Sequence, residues 1–328
     1  MLLVVLVAAL VAGCSSSTSA GHGSTSNVAN TSSPSSKAAS TPSKSASSSS
    51  SVPAGPTTTV NVSSLLSDGG TYGVGMPIVL YFKPAPKNVK AFEAAVKVTV
   101  NGQPANGAWY WEQPLATEVQ QNMVEAHYRL QNYWPADSKV HVSIPIGGLS
   151  AGPNMKYAGA LDSLDFSIGD SHISTVNAAT LTMTVTSNGK VVNTFPVSLG
   201  KATTPTYSGT KVVMQKGEDV PGTDQLRPNG TVMMNGPGYS NDPVQWSVRI
   251  TQSGEYVHAA PWNGEIGARS TSNGCTNLHT ANAEWFYNFA QLGDVVQYPN
   301  APGQRMSYQD GLGDWNLTWS QWQQGGLF

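Results

Sequence analysis

His-Ala-Ala-Pro-Trp-Asn-Gly-Glu-Ile-Gly-Ala-Arg-Ser-Thr-Ser-Asn-Gly-Cys-Thr-Asn, residues 258–277, holds the only cysteine outside the extreme N-terminus. Cys275 stands seventeen positions after His258 and four before His279. A cysteine becomes a useful nucleophile when a neighbouring imidazole or a positive field holds it as thiolate, because an isolated thiol titrates at about pH 8.5. Gly274 has no side chain, so the adjoining backbone can point N–H groups at an oxyanion. The stretch therefore predicts a nucleophile and an anion cradle on one turn.

Other interpretations of Cys275 compete with a nucleophile. A cysteine of an exported protein usually forms a disulfide, but the only other one, Cys14, lies in a processing signal. A zinc site of His258, Cys275 and His279 is conceivable, although its spacing fits none of the short ligand pairs usual for structural zinc. A buried, inert thiol is the main remaining alternative. His258 alone would more often be an ordinary hydrogen-bonded histidine.

The same stretch and its surroundings resemble a known family. Tyr-Val-His-Ala-Ala-Pro-Trp at 256–262 and Ser-Asn-Gly-Cys-Thr-Asn at 272–277 are similar to the active-site signature of the YkuD-type L,D-transpeptidases, which cross-link peptidoglycan. The similarity continues through 283–287 and 293–296. It ends in Asp-Gly-Leu-Gly-Asp-Trp-Asn at 310–316, which resembles the mycobacterial-type members in particular.

This resemblance implies a cysteine acyl transfer. Cys275 would be the nucleophile and His258 its general base, oriented by the carbonyl of Ala259, with the N–H groups of Gly274 and Cys275 binding the oxyanion. The family releases D-alanine from a tetrapeptide stem and passes the thioester to a diaminopimelate amine of a second stem, which forms 3→3 cross-links. It needs no metal and no organic cofactor. An L,D-carboxypeptidase using the same thioester and a catalytically impaired wall-binding homologue remain alternatives.

The resemblance also assigns residues around the thiol. Tyr239 would lie on a lid over the cysteine and help bind the oxyanion, although it could equally be an exposed loop aromatic. Trp262, Ser272 and Asn277 would bind substrate or brace the loop. Asn273 departs from the family, which usually has histidine there. Asparagine forms hydrogen bonds but carries no proton or charge, so rate and β-lactam reactivity transfer less safely than the reaction type.

The N-terminus predicts export and a tether. Residues 2–12 are one apolar run, too short to span a bilayer, and Val-Ala-Gly-Cys at 11–14 resembles a bacterial lipobox. We therefore expect a signal peptide at 1–13, lipidation of Cys14, and a lipid-anchored linker at 14–56 whose Ser/Thr/Pro-rich composition favours disorder. The protein would then sit on the outer face of the cytoplasmic membrane, facing the cell wall.

Composition restricts the partners. Only 11% of residues are charged, the net charge is −2, and lysine and arginine are scattered, which speaks against nucleic-acid binding. The expected partners are peptidoglycan stem peptides and the membrane, with the chain a monomer.

Strand patterns predict a mainly β protein. Short alternating runs between 57 and 169, with Asn-Gly at 101–102 as a hairpin turn, indicate an immunoglobulin-like β-sandwich, in which His127 and His141 have no paired acid. A YkuD-type β-rich catalytic domain would follow at 170–300, and a small helical C-terminal cap at 301–328 would carry Trp315, Trp319 and Trp322 on one face.

Two local predictions concern the catalytic domain. Val244, Trp246, Val248 and Ile250 alternate and predict one continuous strand. After the cysteine, Thr280 is a candidate N-cap of a helix whose buried face includes Trp285, Phe286, Phe289 and Leu292, with Gly293 ending it.

Overall fold

The structure is a computed structural model that describes residues 57–113, 122–236 and 238–328. The expected signal peptide, the lipidated Cys14 and the linker at 14–56 lie outside the described residues. Residues 52–328 form one compact unit. No helix within the described ranges has the length and apolar character to cross a lipid bilayer.

The first eleven strands form a β-sandwich, which confirms the predicted immunoglobulin-like architecture. One sheet has the order β6-β7-β3-β1-β10-β9 and the other β2-β11-β8-β4-β5. The strands are β1 (Thr58–Ser64), β2 (Gly70–Tyr72), β3 (Ile78–Lys83), β4 (Lys97–Val100), β5 (Gln103–Pro104), β6 (Gly107–Glu112), β7 (Val124–Leu130), β8 (Lys139–Ser143), β9 (Ser150–Gly152), β10 (Met155–Tyr157) and β11 (Ser163–Ile168).

Alternation of side chains places the core of the sandwich between its sheets. Val60 of β1, Phe82 of β3 and Phe166 of β11 belong to one buried cluster. Helix α1 (Lys90–Ala95) contributes Phe92, whose ring meets that of Trp111 edge-on at 5.4 Å. The helix begins at Lys90, whose N–H donates to Asn88 Oδ1 at 3.0 Å.

The rest of the chain builds two further sheets and a separate hairpin. The sheets have the orders β14-β13-β12-β22-β15 and β16-β19-β20-β21, and β17 pairs with β18. The elements are β12 (His172–Asn177), β13 (Thr182–Ser187), β14 (Lys190–Pro196), β15 (Gly209–Val212), β16 (Gln215–Lys216), β17 (Val232–Gly236), β18 (Tyr239–Val244), β19 (Val248–Arg249), β20 (Tyr256–Ala259), β21 (Thr276–Leu278), α2 (Thr280–Phe289) and β22 (Val295–Tyr298).

The continuous strand predicted through Val244 and Ile250 is wrong. β18 ends at Val244, and Trp246 adopts a positive φ of 53°, which interrupts extended backbone. Only Val248–Arg249 continue as β19. The side chains of Val244, Val248 and Ile250 are still buried. The apolar alternation therefore predicted which side chains are buried, but not a continuous strand.

The helix after the cysteine also differs from its prediction. Residue 279, not Thr280, is the N-cap of α2, and its side chain makes no capping hydrogen bond. The helix ends at Phe289, and Leu292 lies beyond it and is exposed. Phe286 is buried as expected, and the rings of Trp285 and Phe289 stack at 4.7 Å.

The C-terminal segment packs on the sandwich through three tryptophans. It comprises a 3₁₀ turn at Asp314–Asn316 and helix α3 (Trp319–Trp322). The rings of Trp315, Trp319 and Trp322 surround the guanidinium of Arg129 at 4.7, 5.5 and 4.4 Å, as cation–π contacts. A short helix of this kind is marginal alone, so these contacts hold it.

The sandwich histidines were predicted without paired acids, and this is wrong. His127 Nδ1 lies 2.8 Å from Asp314 Oδ1, and its Nε2 lies 3.1 Å from Glu125 Oε2. His141 Nδ1 lies 2.8 Å from Asp165 Oδ1. Asp165 and Asp314 come from a neighbouring strand and from a segment 187 residues away, so no local pattern marks them, whereas Glu125 lies two residues from His127 on the same strand and was missed.

Candidate active site

Strand pairing brings the two ends of the stretch 258–277 together. β20 and β21 are parallel, and His258 stands directly opposite Asn277. Cys275 is two residues before Asn277 and directly precedes β21, so it lies at the start of the strand that pairs with the strand of His258. A separation of seventeen residues thus becomes one step of about 7 Å along neighbouring strands.

His258 is fully buried and held at both ring nitrogens. Its Nδ1–H donates to the carbonyl of Ala259 at 2.8 Å, as predicted by resemblance, and its Nε2 accepts from Asn277 Nδ2 at 3.0 Å. Burial lowers the pKa of His258 to about 4, because the charged ring would lose its hydration. The imidazole is therefore neutral, with Nε2 as its basic atom.

Cys275 is buried as a neutral thiol. Its Sγ lies 3.8 Å from the carbonyl oxygen of Gly254, and the backbone N–H of Tyr256 also reaches it. Burial raises the pKa of Cys275 to about 12, with a further rise from the nearby Glu255 carboxylate. In the part of the chain that the structure describes, no hydrogen bond joins Sγ to His258.

The cysteine loop is braced from inside. The hydroxyl of Ser272 donates to the Cys275 carbonyl at 2.6 Å and accepts from the Gly274 N–H at 3.1 Å. The Gly274 carbonyl accepts from Thr206 Oγ1 at 2.7 Å, and Gly274 has a φ of 126° that disfavours any side chain. The Gly274 N–H, expected to bind an oxyanion, is thus already engaged by Ser272.

Asn273 connects the loop to two neighbours. Lys201 Nζ donates to Asn273 Oδ1 at 2.7 Å. A Cβ placed on Gly238 would lie only 2.4 Å from Asn273 Nδ2, so the tip of the β17–β18 hairpin touches this amide. The amide therefore occupies the space between the loop and the hairpin.

Tyr239 lies on the hairpin beside the cysteine. Tyr239 begins β18, the second strand of this hairpin. Burial raises the pKa of Tyr239 to about 12, and the nearby Cys275 raises it further. The phenol therefore keeps its proton and can act as a hydrogen-bond donor. Tyr239 and Cys275 line one cavity of about 320 Å³.

Two larger cavities adjoin the loop from either side. One of about 660 Å³ is lined by Tyr239, Trp262 and Asn277, among others, and one of about 500 Å³ by Glu255 and Gly274. Asn273 lines all three cavities. Trp262 is 58% exposed, and its ring stacks over His258 at 6.1 Å.

A buried ion pair next to the thiol was not predicted. Lys211 Nζ contacts Glu255 Oε2, Lys211 is fully buried, and Glu255 Oε1 accepts the Tyr207 N–H at 2.8 Å. The ammonium also lies 3.9 Å from the centre of the Tyr298 ring. The available signal was a single lysine inside the apolar strand pattern of β15.

His279, a candidate partner of the thiol, lies elsewhere. It is exposed at the start of α2. Outside this site, Glu112, Glu125 and His127 place one potential metal ligand each within 4.8 Å of one another.

Comparison with known proteins identifies similar sequences along most of the chain. Residues 171–297 match the YkuD model, described as an L,D-transpeptidase catalytic domain, and residues 15–150 match a bacterial Ig domain. L,D-transpeptidase 2 of Mycobacterium tuberculosis is 36% identical over 262 residues, which cover 79% of this chain and 60% of that protein. The chain thus spans less than two thirds of that relative.

A shorter relative and a solved structure agree with these matches. L,D-transpeptidase 1 of M. tuberculosis is 30% identical over 232 residues, 70% of this chain and 81% of that protein. The structure of an L,D-transpeptidase in complex with imipenem superposes with a TM-score of 0.55 at 28% identity, covering 72% of this chain and 97% of that one.

Proposed function

The chain belongs to the L,D-transpeptidase family, and from this we propose that it cross-links peptidoglycan by cysteine acyl transfer. The observation that carries the proposal is the parallel pairing of β20 with β21, which brings His258 close to Cys275, a residue that lines an open cavity. The donor would be a tetrapeptide stem, and the product a 3→3 cross-link to a diaminopimelate amine.

The proton transfer follows from the two pKa shifts. Both groups are neutral at rest, since the pKa of Cys275 is raised to about 12 and that of His258 lowered to about 4. His258 would therefore take the thiol proton on Nε2 as sulfur attacks the stem carbonyl, while the Ala259 carbonyl stabilises the Nδ1–H. Catalytic hydrogen bonds often form or tighten only when substrate binds, so the lack of a Cys275–His258 hydrogen bond among the described residues is compatible with this role.

Two donors are suited to the oxyanion. The Tyr239 hydroxyl lines the same cavity as Sγ and keeps its proton. The Cys275 N–H is the second candidate, because the Gly274 N–H is engaged by Ser272. Each such donor is worth on the order of 3 kcal/mol in comparable sites.

The cavities suggest separate places for the two stems. We assign the donor stem to the side of Trp262, where the cavity of about 660 Å³ exposes an aromatic surface. The acceptor amine would approach through the cavity of about 500 Å³ that Glu255 and Gly274 line. In acylation, D-alanine would leave with the proton that His258 took from the thiol. The acceptor amine would then attack the thioester, break its C–S bond and give a proton through His258 to the Cys275 sulfur.

The proposal extends to inhibitors and location. A relative binds imipenem, and we propose that carbapenems acylate Cys275 here too. The sequence further favours a lipoprotein anchored through Cys14, exported to the cell envelope.

A second candidate is an impaired, wall-binding homologue. The buried thiol, with a raised pKa and no hydrogen bond to His258, favours it. It differs from the transpeptidase in predicting binding without turnover.

Mass spectrometry of the full chain with a disaccharide-tetrapeptide separates these functions. The transpeptidase predicts loss of D-alanine together with a cross-linked dimer, and Cys275→Ser should yield neither. Tripeptide without dimer would indicate a carboxypeptidase. Unchanged substrate from a folded wild-type chain, with stem peptide retained on it, would support the impaired homologue.

A further inference from the structure

Two buried carboxylates face each other across the edge of the sandwich. Glu112 of β6 pairs directly with Glu125 of β7, and both are buried. Like charges in such a cross-strand position are destabilising unless a cation lies between them. His127, two residues after Glu125, projects from the same face and is also buried.

Acidic neighbours outweigh burial and raise the pKa of His127 well above its usual value, and burial raises the pKa of Glu112 to about 8, so protons balance the cluster when no metal is bound. A third carboxylate, Asp314, binds His127 Nδ1 through Oδ1, while its buried Oδ2 has no partner among the described residues. The Arg129 guanidinium also interacts electrostatically with Asp314, while it packs against three tryptophan rings and donates to the Leu317 carbonyl. Three carboxylates therefore surround one imidazole.

The three candidate ligand atoms lie within 4.8 Å of one another, and two of their separations suit a coordination sphere. His127 Nε2 lies 3.5 Å from Glu112 Oε1 and 3.1 Å from Glu125 Oε2. Zinc–ligand bonds of about 2.0–2.1 Å in tetrahedral geometry separate neighbouring ligand atoms by about 3.3 Å. We propose that Glu112, Glu125 and His127 bind a Zn²⁺ ion, with Asp314 orienting the imidazole from behind.

The neighbouring structure supplies what such a site still needs. A carboxylate on the far ring nitrogen fixes the tautomer that presents Nε2 to a metal, which is the role of Asp314 here. A cavity of about 90 Å³ borders Glu125 and His127 and has room for a water as fourth ligand.

The ion would lock the C-terminal segment to both parts of the molecule. Asp314 and Asn316 share one 3₁₀ turn. Asn316 Oδ1 accepts the Thr210 N–H at 2.9 Å, and its Nδ2 donates to the Thr210 carbonyl at 2.8 Å. Thr210 precedes Lys211, the buried cation near the thiol. The site is therefore structural and joins the sandwich to the strand behind the catalytic loop.

The test measures metal content and its effect on stability in the full chain. Protein purified with Zn²⁺ and then dialysed should retain one zinc per chain, and 1,10-phenanthroline should lower its Tm by about 5 °C. Glu112→Gln and Glu125→Gln keep the side-chain shape but lose a ligand charge, so each should lose zinc and the chelator response. His141→Gln, which changes an exposed histidine of the same sandwich, should keep both.

A second probe does not depend on stability. Co²⁺ in place of Zn²⁺ should give visible ligand-field absorption in the wild type, lost in His127→Gln and kept in His141→Gln. Wild-type protein that retains no stoichiometric metal and ignores the chelator would overturn the site and leave a cluster joined by shared protons.

Discussion

Lys211 and Glu255 form an ion pair that is buried beside the Gly274–Cys275 turn. The Glu255 carboxylate lies so close to the loop that a Cβ on Gly274 would stand 3.7 Å from Oε1. The pair sets opposite influences on the thiol, because the nearby Glu255 raises the pKa of Cys275 and Lys211 lowers it. Both residues thus shape the electrostatics of the nucleophile, although Lys211 is fully buried and does not face the substrate.

Removing the lysine alone should destabilise the fold. Lys211→Met leaves the Glu255 charge buried and unpaired, which costs about 3–5 kcal/mol. The double variant Lys211→Met/Glu255→Val should recover most of this loss, since neither charge remains. Urea unfolding measures all three proteins, and Lys216→Met, at a half-buried lysine over Tyr287, is the control. Equal losses in the single and double variants would show that the pair is not coupled.

The same pair predicts how fast the thiol reacts. Glu255→Gln removes the neighbouring negative charge while Lys211 stays, so the pKa of Cys275 should fall from about 12. Alkylation by iodoacetamide at pH 8 should then accelerate on the order of tenfold per pKa unit. Peptide mapping follows Cys275 separately from Cys14. A rate unchanged from wild type would mean that Glu255 does not act on the thiol.

Features encoded by neighbouring residues could be predicted from the sequence. Alternation located most longer strands, and the hairpin predicted at Asn101-Gly102 is present as β4 and β5. Features that depend on long-range pairing could not. Glu255 meets Lys211 across 44 residues and His127 meets Asp314 across 187, so no local pattern marks either pair.

Within the site, the motif named the residues but not all their contacts. Asn277 was expected to brace the loop, and its bond to His258 Nε2 required the parallel register of β20 and β21. The strand predicted through Trp246 failed for a related reason. Alternation records which side chains are buried, and a turn with positive φ can bury the same ones.

The buried histidine predicts a specific pH dependence of stability. The pKa of His258 is about 4 in the folded chain and about 6.5 when unfolded, so only the unfolded chain gains a proton between these values. The free energy of unfolding therefore falls by about 3 kcal/mol in total as the pH decreases from 6.5 to 4, and above pH 6.5 this group does not change it. His258→Gln should flatten the stability profile in that window, measured by urea unfolding. His279→Gln, at an exposed histidine, should keep the wild-type slope, and identical slopes in all three proteins would contradict the prediction.

The hairpin tip should tolerate a methyl group at one glycine but not at the other. Gly238→Ala places a Cβ 2.4 Å from Asn273 Nδ2, which pushes the hairpin away from the cysteine loop. Gly236→Ala also has a positive φ, but nothing lies within 4 Å of its Cβ. Both variants place a side chain at positive φ, 85° at residue 238 and 137° at residue 236, so the control also carries backbone strain. Only Gly238→Ala should slow acylation by imipenem, on the order of tenfold for about 1.4 kcal/mol. Equal acylation rates in the two variants would mean that the contact between the hairpin and Asn273 does not affect acylation.

The amide of Asn277 should keep His258 in its basic form. It donates to Nε2 at 3.0 Å, which only an unprotonated nitrogen can accept. Asn277→Asp replaces this donor with a carboxylate, which favours a proton on Nε2 and raises the pKa of His258. A ring already protonated cannot take the thiol proton, so acylation at neutral pH should fall on the order of 10²–10⁴-fold, the usual contribution of a general base.

Stopped-flow acylation by imipenem from pH 5 to 9 measures this, with Asn277→Ala as the control that removes the donor without adding charge. A smaller loss in the alanine variant, together with a shift of the aspartate profile to higher pH, would follow from proton transfer to Nε2. An aspartate variant as fast as wild type would mean that another group accepts the proton.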